Sequence, residues 1–284
     1  MTEPQDGTTR RVSIAGRRYR LAGDPADSYF QDAPRHAKGV WAMQAVAAAL
    51  LPPDGVAVDV GANIGLTALA LAALLPQGRV IAAEPSPRCL RALRQNVLAN
   101  GLKSRIAVEA AAVGASPGEA EFHDSAHSAG SHLLSAGTMR ADRLCRITVP
   151  VTTLDRFAEA HGLRRLDLVK VDVEGFESEV LEGATAAIAR YRPAFILEFN
   201  AWTILCNRNR NPREVLEDWL SRFPVVHAIR GAAPPERVTP DDALAFLHDH
   251  LVRRRCMDDL VLGFDADWVA RWKPPPSAGR RRSG

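Results

Sequence analysis

Val56-Ala57-Val58-Asp59-Val60-Gly61-Ala62-Asn63-Ile64-Gly65 is a β-branched, apolar run that breaks into a turn of small residues. The five residues between Gly55 and Gly61 read as a short strand buried on both faces, and the turn opens a helix over 64–75. Upstream, 38–51 reads as a helix stopped by Pro52-Pro53. Downstream the step repeats: strand 79–83, helix 87–100 ended by Gly101, strand 105–113. Residues 114–146, rich in Ser, Gly, Ala and His, read as a long loop with one short strand over 120–123. Alternation then resumes with an extended 147–151, helix 154–161, strand 167–171, helix 176–190 and strand 194–199. A helix after Asn211-Pro212 and strands 224–229 and 260–264 close the pattern. Strands alternating with helices predict a doubly wound α/β fold with a mostly parallel sheet and helices on both faces. Ligands of such sheets sit outside the carboxyl ends of the strands, here 59–65, 84–86, 172–175 and 198–200.

The composition fits this. At 284 residues, 46% hydrophobic and 24% charged, the chain suits one large domain with extensions and excludes collagen, disorder and a disulfide scaffold. The most apolar window, 56–75, contains Asp59, Asn63 and two glycines, so no membrane span is expected. Residues 1–20 lack the apolar run of a signal peptide, which predicts a cytoplasmic protein. Net charge is +3, but residues 271–284 hold five basic groups and no acid, and removing those five leaves −2 for the body. No nucleic-acid partner is expected, and the basic end, 268–284, reads as a disordered tail. Cys89, Cys145, Cys206 and Cys256 have no metal-finger spacing and read as reduced, mostly buried thiols.

The turn carries the chemistry. A dinucleotide's pyrophosphate calls for GxGxxG, whereas 61–65 is GxxxG with Asn63 at the place of the second glycine. Asp59, two residues before the turn, suits an ammonium group, and NAD has none there. Glu84 ends the next strand, 19 residues after Gly65, where a carboxylate holds ribose hydroxyls; Pro85 and Ser86 are placed to pack on an adenine. Together these favour S-adenosylmethionine over NAD.

The blocks VDVGANIG (58–65), EPS (84–86), VTTLDRF (151–157), LVKVDVEG (168–175) with FESEVLEG (176–183), and PAFILE (193–198) resemble the FkbM-type methyltransferases, with the TLD and KVDVEGFExEVLxG pair the most diagnostic. The resemblance spans 55–200 and implies a class I, Rossmann-like fold: α/β, doubly wound, a mostly parallel seven-stranded sheet with helices on both faces. It divides the chain into an N-terminal extension with lid and helix (1–54), a methyltransferase domain (55–267) with a long insertion loop (114–146), and the tail. It implies S-adenosylmethionine as cofactor, bordered by Asp59, Gly61, Asn63 and Gly65 at its methionine part and by Glu84 at its ribose. The implied reaction is O-methylation of a small-molecule acceptor, a hydroxyl of a sugar, glycolipid or secondary metabolite.

An alcohol needs a base, since a hydroxyl is a poor nucleophile until its proton is taken. Asp172, Glu174 and His132 are the candidates; Asp172 closes a buried strand, where a carboxylate is costly unless it binds something. No metal site is expected: His123 and His127 stand four apart among loop formers, and although Asp172 with Glu198 and Asn200 could mimic the metal-holding acids of some other O-methyltransferases, the resemblance does not support it. Residues 24–30 are expected to fold over the cofactor; Tyr29, Phe176 and Trp202 read first as core aromatics beside strands, with lining of the acceptor pocket as the alternative, while His248-Asp249-His250 reads as a solvated turn. A base-methylating enzyme would carry an Asn/Asp-Pro-Pro-aromatic turn where this chain has Asp172-Val173-Glu174-Gly175. A nicotinamide oxidoreductase and a non-catalytic cofactor-binding module are the alternatives. The Asn63 turn speaks against the first, and the intact turn with Asp172 against the second.

Overall fold

The structure, a computed structural model, describes residues 9–275 apart from 15, 136, 137 and 139–144. The chain opens with an antiparallel hairpin that the sequence reading did not anticipate, β1 (Thr9–Ile14) and β2 (Arg17–Ala22), followed by α1 (Ser28–Gln31) and α2 (Ala33–Leu50). β3 (Val56–Val60), α3 (Leu66–Leu74), β4 (Arg79–Ala83), α4 (Pro87–Ala99) and β5 (Ile106–Glu109) follow the expected alternation. All five residues of β3 are buried, which explains why four of them are apolar and makes the fifth, Asp59, conspicuous. β6 (Ala112–Val113) falls at the end of the expected strand 105–113, β7 (Gly118–His123) contains the expected strand 120–123, β8 (His132–Leu133) lies in the stretch expected to be loop, and β9 (Arg146–Thr152) contains the expected 147–151. They form a separate small sheet in the order β6-β9-β7-β8 around Phe122 and Val149.

The second half comprises α5 (Leu154–Ala160), β10 (Leu168–Val171), α6 (Glu177–Glu182), α7 (Thr185–Tyr191) and β11 (Ala194–Asn200). It continues with α8 (Ala201–Arg208), α9 (Pro212–Arg222), β12 (Val225–Ile229), β13 (Glu236–Arg237), α10 (Ala243–Arg253), β14 (Met257–Gly263) and α11 (Asp267–Arg271). The helix expected over 176–190 is two, broken at Gly183, where a Cβ would come within 2.1 Å of the Gly114 carbonyl oxygen. The diagnostic blocks meet here. Thr153 caps α5, and Asp155 caps α7 by accepting from the Ala186 and Ala187 N–H groups at 3.0 and 2.7 Å.

The main sheet has eight strands rather than seven and is mixed, in the order β13-β12-β14-β11-β10-β3-β4-β5. Strands β11, β10, β3, β4 and β5 are parallel; β14 runs antiparallel between β11 and β12, and β13 antiparallel to β12. One apolar layer joins the hairpin, α2, α3, α4 and α11 to one face, and a second joins α5 to α10 to the other. Trp268 of α11 is buried and Arg271 Nε donates to the Ala49 carbonyl at 3.0 Å, so packed structure extends past the point where the tail was expected to begin; 276–284 lie outside the described residues. Among the described residues no helix is long and apolar enough to cross a membrane. Chain order reverses between β3 and β10, so their carboxyl ends form the switch point of the sheet.

Candidate active site

Three residues of the β3–α3 turn take the left-handed conformation: Gly61 at φ 79°, Asn63 at φ 51° and Gly65 at φ 98°. Asparagine is among the side chains that tolerate this region, so Asn63 does the conformational work of a glycine. At Gly61 only glycine fits, because a Cβ would lie 2.0 Å from the Asp172 carbonyl oxygen. The turn is tied to β4 by the Gly61 and Ala62 N–H groups, which donate to the Ala83 carbonyl at 3.1 and 3.0 Å. Glu84 braces it: Oε2 accepts from the Asn63 N–H and Oε1 from the Ser86 N–H, both at 2.8 Å. Burial pushes Glu84 up to about 7 against those two hydrogen bonds. Each oxygen keeps lone-pair capacity for a further donor, which is what a ribose diol offers.

Above the switch point lies a cavity of about 740 Å³. Its lining includes Gly61, Asn63, Glu84 and Pro85 from the ends of β3 and β4, and Lys170, Asp172, Glu174 and Glu198 from the ends of β10 and β11. Asp59, Gly65 and Ser86, expected at the cofactor, are not part of the lining. Gly65 is the residue before α3, and Ser86 caps α4 while its Oγ donates to Asp124 at 2.8 Å. Asp59 is fully buried in β3, opposite Lys170 in register. Neither of its oxygens meets a donor at full hydrogen-bonding geometry, the Ala68 N–H being its backbone support, and burial pushes it up to about 6 while Lys170 opposes that rise.

Lys170 was not singled out in the sequence. Its Nζ donates to Asp172 Oδ2 at 2.9 Å. Burial works to lower its pKa, yet Asp172 and Asp59 beside it reverse the effect, and the ammonium stays charged. Glu174 stands at φ 56°, its carbonyl accepting from Asn207 Nδ2 at 2.7 Å. Burial, with Asp172 and Glu177 adding repulsion, raises Glu174 well above the carboxylate range; Glu198 is raised by burial and by Asp172 and Glu174. One carboxylate oxygen from each of Asp172, Glu174 and Glu198 lies within 4.8 Å of the others. Glu177, also not anticipated, holds this turn from inside: its Oε1 accepts from the Val173 and Gly175 N–H groups at 3.1 and 3.3 Å. Gly175, at φ 102°, packs too close to the Thr203 carbonyl for any side chain.

Two segments from outside the main sheet also line the cavity. His127 to Leu133 line the cavity from the insert, and Tyr29 and His36 line it from the N-terminal helices, stacked on one another at 4.1 Å. His132 is buried, its Nδ1–H donating to the Gly130 carbonyl at 2.9 Å, which leaves Nε2 as an acceptor shut off from solvent and without a partner. Burial lowers its pKa, so the ring is neutral. Arg88, at the start of α4, clasps the two segments together: it reaches Asp27 at 3.4 Å and Asp24 at 3.7 Å on one side, and the Ser125 carbonyl and Asp124 at 3.9 Å on the other. Ser28 Oγ meets His127 Nδ1 at 2.6 Å across the same seam.

Of the three aromatics, Tyr29 lines the cavity. Phe176 is buried beneath the Arg208 guanidinium, and Trp202 is 66% exposed and outside the lining. The His248–His250 segment is helical, part of α10, and His250 is fully buried with Nδ1 on Asp258 at 2.8 Å. Of the cysteines only Cys89 is buried.

The family model described as the methyltransferase FkbM domain matches residues 59–223, more than half of the chain. The chain belongs to the FkbM methyltransferase family. The family is S-adenosylmethionine-dependent, which makes that the cofactor of this FkbM domain and sets the nicotinamide reading aside. The domain is 33% identical over 179 residues to the AMB antimetabolite synthetase AmbE of Pseudomonas aeruginosa, across 50% of this chain and 8% of the synthetase. It is 28% identical over 154 residues to the 2-O-methyltransferase NoeI of Sinorhizobium fredii, across 49% of this chain and 61% of that protein. The crystal structure of an FkbM methyltransferase from Methylobacillus flagellatus covers 83% of this chain and 60% of its own at 17% identity, with a TM-score of 0.45.

Proposed function

We propose that this FkbM domain transfers a methyl group from S-adenosylmethionine to a hydroxyl of a small acceptor, a sugar or a natural product. The observation that carries the reading is that one cavity is lined by the Gly61–Asn63 turn and Glu84 together with Asp172, Glu174 and His132. Similarity to a protein named a 2-O-methyltransferase supports oxygen as the methylated atom. Bound there, the cofactor supplies a methyl group activated on a sulfonium; the chain has to align the hydroxyl and receive its proton. Asp172 is the first choice of base. Lys170 holds its Oδ2, which fixes the carboxylate and leaves Oδ1 for the acceptor. His132 Nε2 is the second choice, its tautomer set by Gly130.

The reading is tested in two steps. Calorimetric titration with S-adenosylhomocysteine, NADH as control, gives saturable binding on the order of micromolar, about −8 kcal/mol; absence of binding overturns it. Asp172→Asn then keeps that binding and lowers turnover on a hydroxylated acceptor by roughly 10²–10⁴, the usual contribution of a positioned base. Unchanged turnover removes Asp172 from the proton transfer.

A further inference from the structure

We propose that Asp172, Glu174 and Glu198 form a divalent cation site on the acceptor side of the cavity. Three carboxylates reach it from two neighbouring strand ends: Asp172 and Glu174 follow β10, and Glu198 belongs to β11. Two ligand atoms on one ion stand at most twice the metal–oxygen distance apart, about 4–5 Å for bonds of about 2.0–2.6 Å. The mutual spacing of these three oxygens, within 4.8 Å, satisfies that limit.

A second observation points to the ligand. Glu198 Oε2 is shut off from solvent and has no hydrogen-bond partner. A buried carboxylate oxygen without a donor is costly, and a cation supplies what the protein withholds. Among the described residues no lysine, arginine or histidine makes an ion pair with Glu174, Glu198 or the neighbouring Asp259. Lys170 is spent on Asp172. The two arginines in the lining face elsewhere, Arg254 to Asp249 and Arg230 to Asp249, Asp258 and Glu236. Asn200, which the strand ends suggested as a ligand, is engaged in capping α8, its Oδ1 accepting from the Trp202 and Thr203 N–H groups. Glu174 takes the position instead, projected by its left-handed backbone.

An all-oxygen, carboxylate-rich set suits a hard cation such as Mg²⁺ or Mn²⁺. Held here, the ion would occupy the Asp172 oxygen that Lys170 leaves free and polarise the oxygen of a bound hydroxyl, so that with the ion in place the proton would fall to the second base, His132. The inference uses the cavity of the proposed reaction but not the identity of its acceptor.

The test is a Mn²⁺ titration of the chelator-stripped full chain, followed by electron paramagnetic resonance, with S-adenosylhomocysteine affinity measured on the same samples. One equivalent of Mn²⁺ binds and is displaced by Mg²⁺. Glu198→Gln and Glu174→Gln each weaken it by at least about 10-fold, the lower end of what even an indirect metal contact costs, and leave S-adenosylhomocysteine binding in place. Two variants are used so that a folding failure of one leaves the other decisive. No bound Mn²⁺ at concentrations on the order of 1 mM, the weak limit for carboxylate sites, overturns the proposal, as does equal binding by both variants and the parent. Mn²⁺ binding in a sample that ignores S-adenosylhomocysteine supports the cation site and counts against the cofactor reading alone.

Discussion

Glu84 shows how much one side chain can organise. It braces the β3–α3 turn through Asn63, anchors the start of α4 through Ser86, and still presents two oxygens to the cavity. Glu84→Gln puts an NH₂ group against one of two N–H donors and removes the charge that a ribose diol would bond. Hydrogen bonds to charged groups are worth about 1.5–3 kcal/mol, so S-adenosylhomocysteine affinity falls by roughly 10- to 150-fold in calorimetry; an unchanged value would take Glu84 out of cofactor binding. Glu84 and Asp172 were legible because a carboxylate closing a buried strand is conspicuous. Lys170 and Glu177 were not. Lys170 takes its meaning from Asp59 across β3 and from Asp172 two residues on, and Glu177 from the N–H groups of a turn whose shape the sequence does not state. Trp202 was misread for a related reason: it follows a strand end, but α8 turns it outward.

Among the elements, the strand–helix steps around β3 and β10 could be read because their short strands are mostly β-branched or apolar and each gives way to a turn and a helix. The insert could be read only in part: β7 and β9 show in the sequence as short extended stretches, whereas β8 has two residues, too few to show a period. The clasp that joins the insert to α1 was invisible for a different reason: Arg88 meets partners 36 to 64 residues away on either side. Its guanidinium is only 22% exposed and Asp27 is buried, so this network is better shielded than a surface ion pair. Arg88→Met therefore raises amide hydrogen exchange in 24–31 and 124–132 together while β3 and β10 keep their protection. Protection unchanged in both segments would show that the clasp does not hold them.

For the whole molecule, the buried acids set a pH dependence. Asp59 is pushed up to about 6 and Glu84 and Glu177 to about 7, in each case chiefly by burial. Between the ordinary carboxylate range and those values the native state keeps protons that the unfolded chain has released, so raising the pH favours unfolding. The stability these groups contribute is complete below about pH 4.5 and lost as the pH rises through 7, about 3 kcal/mol for Glu84 alone. Ligand-free protein accordingly melts at a lower temperature at pH 8 than at pH 6. S-adenosylhomocysteine narrows the gap, because hydroxyl donors favour the ionised Glu84; equal melting temperatures without ligand would mean that these acids are already ionised at pH 6. The sheet's extent was the least legible feature at this scale, since strand count and direction at its far edge depend on where β14 lands. That landing place has a consequence for synthesis. Until residues 257–263 have left the ribosome, β11 and β12 each offer an unpaired edge to any other strand nearby, and a nascent chain halted before that point is a template for aggregation rather than a slightly shorter enzyme.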